Sequence, residues 1–289
     1  MPRYPYGTQT ILDDLSRKLD QIEKTWPMTG SYERLDPYII PLMLSDEWFE
    51  LIIYHFESKA WFDKSWTDYG VRTVKQHGFI KPGSVAFDLG CNAGAIAIPM
   101  AMQAGPTGQV HAFDPYPWNA AATQASANLN RLYNLTAYPI GLSNKTQTIQ
   151  VSPNDSRTYA ESTGSNSLKI ETRHIAEFMH LKPSFLKIDI EGAEHDLFSV
   201  DDPGIFASVE NAMLEFHPMW IKPRGIDCKT TLGNIEKNGF SLHFYTPDSP
   251  AFDVQIYTEN YHLFWLKRKT SIPSKIREFF GISEKKSAA

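Results

Sequence analysis

The chain has 289 residues, of which 42% are hydrophobic and 21% charged, an ordinary composition for a folded globular protein. A formal net charge of -5 excludes a nucleic-acid binder that relies on bulk positive charge. The two cysteines, Cys91 and Cys228, are too few for a disulfide framework and lack the spacing of a zinc site. No apolar run is long enough to cross a bilayer, and the first ten residues lack the pattern of a signal peptide, so we expect a cytoplasmic protein.

The first 65 residues are predicted to form an aromatic-rich helical cap. Apolar residues between Thr8 and Trp26 recur at helical spacing, which predicts an amphipathic helix that Pro27 ends. Residues 28–44 contain two prolines and are predicted to be irregular. The aromatic stretch Trp48 to Phe62 follows a plausible helix start and is predicted to be helical. Its rings either cover one edge of the core or stack on a substrate, and the sequence leaves both roles open.

The central element is predicted between Ser84 and Met100, SVAFDLGCNAGAIAIPM. An apolar run that ends at Asp88 suits a buried parallel strand, and the small residues after it suit a turn that leads into a packed helix. Gly90 and Gly94 allow backbone angles, or a close approach to a ligand, that other residues do not. This stretch is therefore a candidate ligand-binding turn.

Downstream, short apolar segments alternate with helical patterns. Six further core strands are predicted: 109–114, 135–140, 185–190, 211–217, 240–245 and 261–267. Helices are predicted at 69–77, from Pro115 to about Arg131 and at 172–180. Polar residues 141–166 form an insertion with a strand at 148–152, and Gly164 to Ser167 is either a lid or a surface loop. The alternation predicts an α/β fold whose mostly parallel sheet has helices on both faces and binds its ligand at the strands' carboxyl ends.

Three predicted strands end in acids at that edge: Asp88, Asp114 and Asp189. Asp114 follows Gly94 by 20 residues, close to the spacing at which an acid after the second strand binds a ribose. The turn lacks the third glycine of a dinucleotide site, and Asp88 would repel a pyrophosphate but favour a cation. S-adenosylmethionine, a nucleoside that carries positive charge, fits this pattern better than NAD.

Three motifs resemble those of the FkbM family of class I S-adenosylmethionine-dependent methyltransferases. They are DLGCNAG at 88–94, AFDPYP at 112–117 and LKIDIEGAEHDLF at 186–198, of which D-x-E-G-x-E is the most specific. The resemblance covers roughly Trp66 to Lys269. It implies a Rossmann-like class I methyltransferase fold with a seven-stranded, mostly parallel sheet in residues 66–270, preceded by an N-terminal helical extension.

The resemblance also implies which residues bind S-adenosylmethionine. Asp114 would hold the ribose hydroxyls, Gly141 to Ser143 would flank the adenine, and Asp189 would orient the α-ammonium or bind the acceptor. Cys91 is interpreted as a small packing residue of the binding turn. The full predicted set is Asp88, Gly90, Cys91, Asn92, Gly94, Asp114, Pro115, Gly141, Ser143 and Asp189.

Removal of a proton from an alcohol acceptor requires a base, and Asp189, Glu191 and His217 are the candidates because they converge at the strand ends. His217 could instead be structural, and Glu191 and Glu194 could simply offset a helix dipole. A metal cluster of Asp189, Glu191, Glu194 and His195 was considered, but their spacing matches no closed site and no metal is predicted. Lys187, within an apolar strand, should need an acidic partner.

These observations predict an S-adenosylmethionine-dependent O-methyltransferase. The family resemblance implies that its acceptor is a hydroxyl of a sugar, glycolipid or secondary metabolite. The alternatives are a nicotinamide-dependent oxidoreductase and a non-catalytic S-adenosylmethionine-binding scaffold. The expected partner is a small-molecule or glycan acceptor, without nucleic acid and without a transmembrane segment. Residues 271–289 should form a short amphipathic helix and tail that docks on the domain, on a second subunit of a homo-oligomer or on a membrane surface.

Overall fold

The structure, a computed structural model, describes residues 7–44, 47–63, 70–151, 168–258 and 262–269. In chain order the strands are β1 (Arg34–Leu44), β2 (Glu47–His55), β3 (Val85–Leu89), β4 (Gln109–Phe113), β5 (Leu135–Tyr138), β6 (Gly141–Ser143), β7 (Gln147–Val151), β8 (Leu168–His174), β9 (Phe185–Ile188), β10 (Asn211–Glu215), β11 (Phe240–Phe244) and β12 (Leu263–Arg268). The α-helices are α1 (Thr8–Glu23), α2 (Phe56–Ser58), α3 (Val71–His77), α4 (Ala97–Ala104), α5 (Pro117–Leu129), α6 (Ala176–Met179), α7 (Glu194–Phe198), α8 (Pro218–Ile221) and α9 (Cys228–Lys237).

Seven strands form the central sheet in the order β11-β12-β10-β9-β3-β4-β5. Pairing is parallel from β10 to β5, whereas β12 runs antiparallel to both of its neighbours. The predicted seven-stranded, mostly parallel sheet is therefore confirmed. This order brings the carboxyl ends of β3, β4, β9 and β10 to one edge, where their loops meet.

The sheet has an apolar core on each face. Ala86 of β3 packs into one core, with helices α4 and α5, while Phe87 and Leu89 pack into the other, with α7 and α9. Because both faces are covered, the central strands are continuous apolar runs rather than alternating ones. The predicted bounds of these strands therefore agree with the observed ones within a few residues.

The N-terminal region combines a helix with a β-hairpin. The predicted amphipathic helix is confirmed as α1. The prediction of an irregular segment at 28–44 was wrong from Arg34 onward, and that of a helix from 48 to 62 was wrong as far as His55, because β1 and β2 pair there. Residues 56–62 are helical, as predicted, in α2 and in the π-helix Lys59–Asp63. Pro37 and Pro41 are compatible with β1 because, among the described residues, this strand pairs with β2 on one edge alone. Residues 51–54 of β2 are all buried, so the strand lacks the alternation that would have identified it.

The free edge of β2 is attached to helix α5 and the residue that follows it. The side chain of Asn130 accepts from the backbone N–H of Glu50 (2.8 Å) and donates to its carbonyl (2.6 Å). The Ser126 hydroxyl accepts from the backbone N–H of Ile52 at 3.1 Å. These side chains satisfy edge groups that would otherwise be free to pair with another strand. The hairpin is thereby joined to the layer that covers the central sheet, and a domain boundary near residue 65 stays a prediction.

The polar insertion forms a second, three-stranded sheet, β6-β8-β7. The predicted strand at 148–152 corresponds to β7, but the helix predicted from 172 to 180 was wrong in its first half. Thr172 to His174 belong to β8, where Thr172 is buried and pairs with both neighbours. β-Branched residues favour strands, and this signal was overlooked.

Two predicted features, the Gly164 to Ser167 loop and the C-terminal amphipathic helix, lie outside the described residues. Among the helices that the structure describes, none has the length and apolar content to cross a membrane.

Candidate functional site

A cavity of about 400 Å³ opens at the carboxyl edge of the sheet. The loops after β3 and β4 line one side, those after β9 and β10 line the other, and the N-terminal region contributes Tyr32, Glu57, Trp61 and Phe62. Phe49 and Tyr54, in contrast, are buried in the core. Some rings of the aromatic segment therefore pack in the core, as one of the two predicted roles requires, while others line the cavity, and stacking on a substrate stays a prediction.

The turn after β3 leaves no room for a side chain at its two glycines. Gly90 lines the cavity with a φ of 80°, and a Cβ added there would lie 1.7 Å from the carbonyl oxygen of Asp189. Cys91 and Asn92 also line the cavity, whereas a Cβ on Gly94 would meet Thr123 of helix α5 at about 3.0 Å. Gly90 thus permits close approach of two loops, and Gly94 permits close packing of the turn on a helix.

The carboxylate of Asp114 is fixed by three donors on the same side of the cavity. Its Oδ1 accepts from the backbone N–H of Tyr116 at 3.0 Å and from Asn119 Nδ2 at 2.9 Å. Its Oδ2 accepts from the backbone N–H of Asn92 at 2.9 Å. Burial raises the pKa of Asp114 to about 7 despite these donors. Since a carboxylate oxygen has two lone pairs, Oδ2 can accept one further hydrogen bond from a ligand.

The N-terminal hairpin supports Asp114 through Asn119. The Tyr54 hydroxyl donates to Asn119 Oδ1, and His55 Nε2 lies 3.4 Å from the same oxygen. Burial lowers the pKa of His55 to about 3, so the ring is neutral at physiological pH. Its Nδ1 accepts from the backbone N–H of Ser58, which leaves the proton on Nε2, directed at Asn119. Strand β2 thereby orients the carboxylate at the end of β4.

The sequence placed Asp88 beside the ligand, but the structure puts it behind the cavity wall. Asp88 is fully buried and does not line the cavity. Its Oδ1 lies 3.3 Å from Lys187 Nζ, which also lies 3.3 Å from Asp189 and donates to the Gly90 carbonyl at 2.7 Å. The expected acidic partner of Lys187 is thus confirmed. Burial raises the pKa of Asp88 to about 6, although Lys187 opposes the shift.

The opposite side of the cavity is acidic. Asp189, Glu191 and Glu215 line it after β9 and at the end of β10. Beneath them lies His217, whose Nε2 is 3.6 Å from Asp189, 3.6 Å from Glu191 and 3.9 Å from Glu215. Its Nδ1 donates to the fully buried Glu194 at 2.8 Å. The ring therefore has one fixed hydrogen bond and three longer charge contacts.

His217 is not suited to the role of base that the sequence suggested. Burial lowers the pKa of its imidazole, but Glu194, Asp189 and Glu191 outweigh this effect and raise it to about 10. At neutral pH the ring is then an imidazolium, which has no free lone pair to accept a proton. The carboxylates around it remain the candidate bases.

Glu191 has the geometry of a proton acceptor. Its Oε2 accepts from Trp220 Nε1 at 2.8 Å, and no hydrogen bond to its Oε1 is found among the described residues. Burial raises its pKa to about 7. Its φ of 51° is a left-handed value that is uncommon outside glycine. This backbone conformation orients the loop after β9 toward the cavity.

Some of the other predicted site residues line the cavity, and others lie in the interior. Pro115, Gly141 and Ser143 line the cavity next to Asp114. His195 does not line the cavity, and its Nδ1 instead lies 3.0 Å from the Thr231 hydroxyl. The cluster considered for a metal is therefore not assembled as the sequence grouped it.

Two residues that matter to the geometry of the site were not predicted from the sequence. Glu215 lines the cavity, and its position at the end of a parallel strand was the signal that could have identified it. Asn119 joins the hairpin to Asp114, and a buried polar residue in the first turn of a helix gives only a weak indication of such a role. Both act through contacts between segments that are distant in the chain.

Comparisons with known proteins identify one family. Residues 88–242 match the family model described as the methyltransferase FkbM domain. No curated protein matches the chain.

Solved structures that resemble the chain include three methyltransferase-fold proteins. A SAM-dependent methyltransferase from Aquifex aeolicus is 12% identical, covering 68% of this chain and 88% of its own, with a TM-score of 0.37. A SAM-dependent O-methyltransferase from Thermotoga maritima is 12% identical, covering 81% and 78%, with a TM-score of 0.42. A fibrillarin from Aeropyrum pernix with natively bound S-adenosyl-L-methionine is 11% identical, covering 84% and 86%, with a TM-score of 0.39.

Proposed function

Because the chain belongs to the FkbM methyltransferase family and is an S-adenosylmethionine-dependent methyltransferase, we propose that it methylates oxygen, on a hydroxyl of a sugar, glycolipid or secondary metabolite. The observation that carries this proposal is the pair of carboxylates, Asp189 and Glu191, on the cavity wall. A hydroxyl must lose a proton when it is methylated, and a carboxylate beside the acceptor can take it. A neutral amine has a free lone pair and needs no such group before transfer.

The residues on the Asp114 side fit S-adenosylmethionine. The cavity volume of about 400 Å³ lies within the range typical of small-molecule sites. Asp114 Oδ2 would accept from a ribose hydroxyl, Gly90 would let the backbone approach the methionine part, and Pro115 and Gly141 would flank the adenine. When bound, S-adenosylmethionine supplies a methyl group on a positively charged sulfur.

On the acidic side, Glu191 is the proposed base and Asp189 the proposed orienting group. Lys187 lies 3.3 Å from one oxygen of Asp189, and Trp220 donates to one oxygen of Glu191, so each carboxylate has one oxygen engaged before an acceptor arrives. An oxygen–carbon bond would form as the methyl–sulfur bond breaks, with the electron pair left on sulfur and the hydroxyl proton on Glu191. Alignment of the reacting atoms supplies much of the rate, up to about 7–11 kcal/mol.

The aromatic rings that line the cavity support an acceptor with apolar faces and polar edges. Trp61 and Phe62 line the same cavity as the carboxylates. A sugar ring presents C–H groups on its faces and hydroxyls on its edges, so aromatic rings and carboxylates together can bind it. This arrangement supports the sugar or glycolipid class that the family resemblance implies.

The test uses S-adenosylmethionine with a labelled methyl group and pairs of acceptors. Each hydroxyl compound is compared with its amino and methoxy analogues, and the product is located by mass spectrometry and NMR. We expect label on oxygen for the hydroxyl compounds and none for the methoxy analogues. Transfer to the amino analogues alone would contradict the proposal, as would tight S-adenosylhomocysteine binding without transfer to any hydroxyl compound across a broad panel.

A further inference from the structure

The side chains of Asp189, Glu215 and His217 converge at the ends of β9 and β10. One ligand-type atom from each lies within 4.8 Å of the other two. His217 Nε2 is 3.6 Å from Asp189 Oδ1 and 3.9 Å from Glu215 Oε1, too long for hydrogen bonds but close to the spacing of ligands around a common ion. The half-exposed Glu215 side chain can move the short remaining distance.

The environment of His217 is a second, independent observation. Its side chain is more than nine-tenths buried, and its Nδ1 donates to the buried Glu194 at 2.8 Å. This bond fixes the ring so that Nε2 is directed at the carboxylates. Among the described residues, no acceptor lies within hydrogen-bond distance of Nε2. Metal-binding histidines are held in this way, by a carboxylate on the nitrogen that does not bind the ion.

The charges around this point also favour a cation. Lys187 is shared between Asp88 and one oxygen of Asp189, which leaves Asp189 Oδ1 toward His217. Glu191 adds a further carboxylate 3.6 Å from Nε2. Charges that are partly removed from water require compensation by opposite charge.

We propose that Asp189, Glu215 and His217 bind a divalent metal ion, with Glu194 as the residue that positions the histidine. His217 gives up its Nε2 proton when the ion binds. Two carboxylate oxygens and one imidazole nitrogen then suit Mn²⁺ or Mg²⁺, which complete their coordination with water or a substrate oxygen. The ion lies on the acceptor side of the cavity, next to Glu191. There it binds the acceptor oxygen and lowers the pKa of that hydroxyl.

Binding is tested with the full chain and Mn²⁺ alone, by electron paramagnetic resonance of the free ion, without acceptor or methyl donor. We expect one bound Mn²⁺ per chain, displaced by excess Mg²⁺. Glu215→Gln, which alters a half-exposed side chain, should weaken Mn²⁺ binding at least tenfold. Glu194→Gln should weaken it about 10–100-fold, the usual effect of losing a group that orients a ligand.

The matched control is Glu210→Gln, an exposed position before the opposite end of β10. It should bind Mn²⁺ like the unaltered chain, and S-adenosylhomocysteine affinity should be retained in Glu215→Gln as a sign of correct folding. The proposal is overturned if the unaltered chain binds no Mn²⁺, or if Glu215→Gln binds it equally well. Because no methyl transfer is measured, failure of the oxygen-methylation proposal would leave this result untouched.

Discussion

The two sides of the cavity hold their carboxylates in different ways. Asp114, at the end of β4, receives three hydrogen bonds of 2.9–3.0 Å from neutral donors. Asp189 and Glu215 are held next to His217 by contacts of 3.6–3.9 Å between charged groups. Neutral donors at hydrogen-bond distance fix a single orientation, whereas longer charge contacts leave freedom to rearrange around a ligand.

This difference corresponds to the two tasks in the proposed function. There the Asp114 side would bind a constant cofactor, and Asn119 and the hairpin hold its carboxylate in place. The acidic side would bind a variable acceptor and change its charge as a proton moves. We therefore expect changes on the acidic side to affect turnover, and changes on the Asp114 side to affect cofactor affinity.

The largest expected effect is that of Glu191→Gln. Gln can still accept from Trp220 but cannot take a proton, so kcat should fall about 10²–10⁴-fold. S-adenosylhomocysteine affinity, measured by calorimetry, should change less than twofold. Glu210→Gln is the control and should leave kcat unchanged. Equal losses in kcat and in cofactor affinity would contradict the expectation that the acidic side affects turnover and the Asp114 side affects cofactor affinity.

An intermediate effect is expected when the pH is varied. Burial raises the pKa of Asp114 to about 7, and its ionised form is the better acceptor for a ribose hydroxyl. Between pH 8 and pH 6 the ionised fraction, and with it S-adenosylhomocysteine affinity, should fall about tenfold. Asp114→Asn should bind more weakly at pH 8 and lose this pH dependence. A dependence that persists in Asp114→Asn would assign it to another group.

The smallest effect is expected from Tyr54→Phe, which removes the hydroxyl that donates to Asn119. The free energy of unfolding, from chemical denaturation, should fall by about 1 kcal/mol. Cofactor affinity should fall a few-fold because Asn119 is less firmly held, while kcat at saturation stays the same. Tyr133→Phe, at a highly exposed position, is the control. A change in kcat alone would show that the hairpin acts on the acidic side instead.

Much of the fold could be predicted from the sequence because its signals are local. The apolar runs of β3, β4 and β9 end in acids, and strand-end acids in a parallel sheet meet at one edge. The hairpin was missed for an equally physical reason. β2 is buried on both faces, so its sequence pattern is the same as that of a buried helix until its pairing with β1 is known.

The candidate site was predictable in part. Asp114, Asp189 and Glu191 line the cavity as their strand-end positions indicated. The positions of Asp88 and His217 were not predictable, since each depends on a partner from another segment: Lys187 for Asp88 and Glu194 for His217. Protonation depends on such three-dimensional neighbours as much as on residue type.

Gly90 and the Asp189 carbonyl bring the two sides of the cavity into direct contact. No space separates them, because even a methyl group on Gly90 would overlap that oxygen. A shift of the turn when the cofactor binds must therefore displace the loop that carries Asp189 and Glu191. Binding of one ligand then changes the affinity for the other. This coupling is reciprocal, because the factor by which the cofactor changes the acceptor affinity equals the factor by which the acceptor changes the cofactor affinity. A single backbone contact would thus link the affinities of the two ligands.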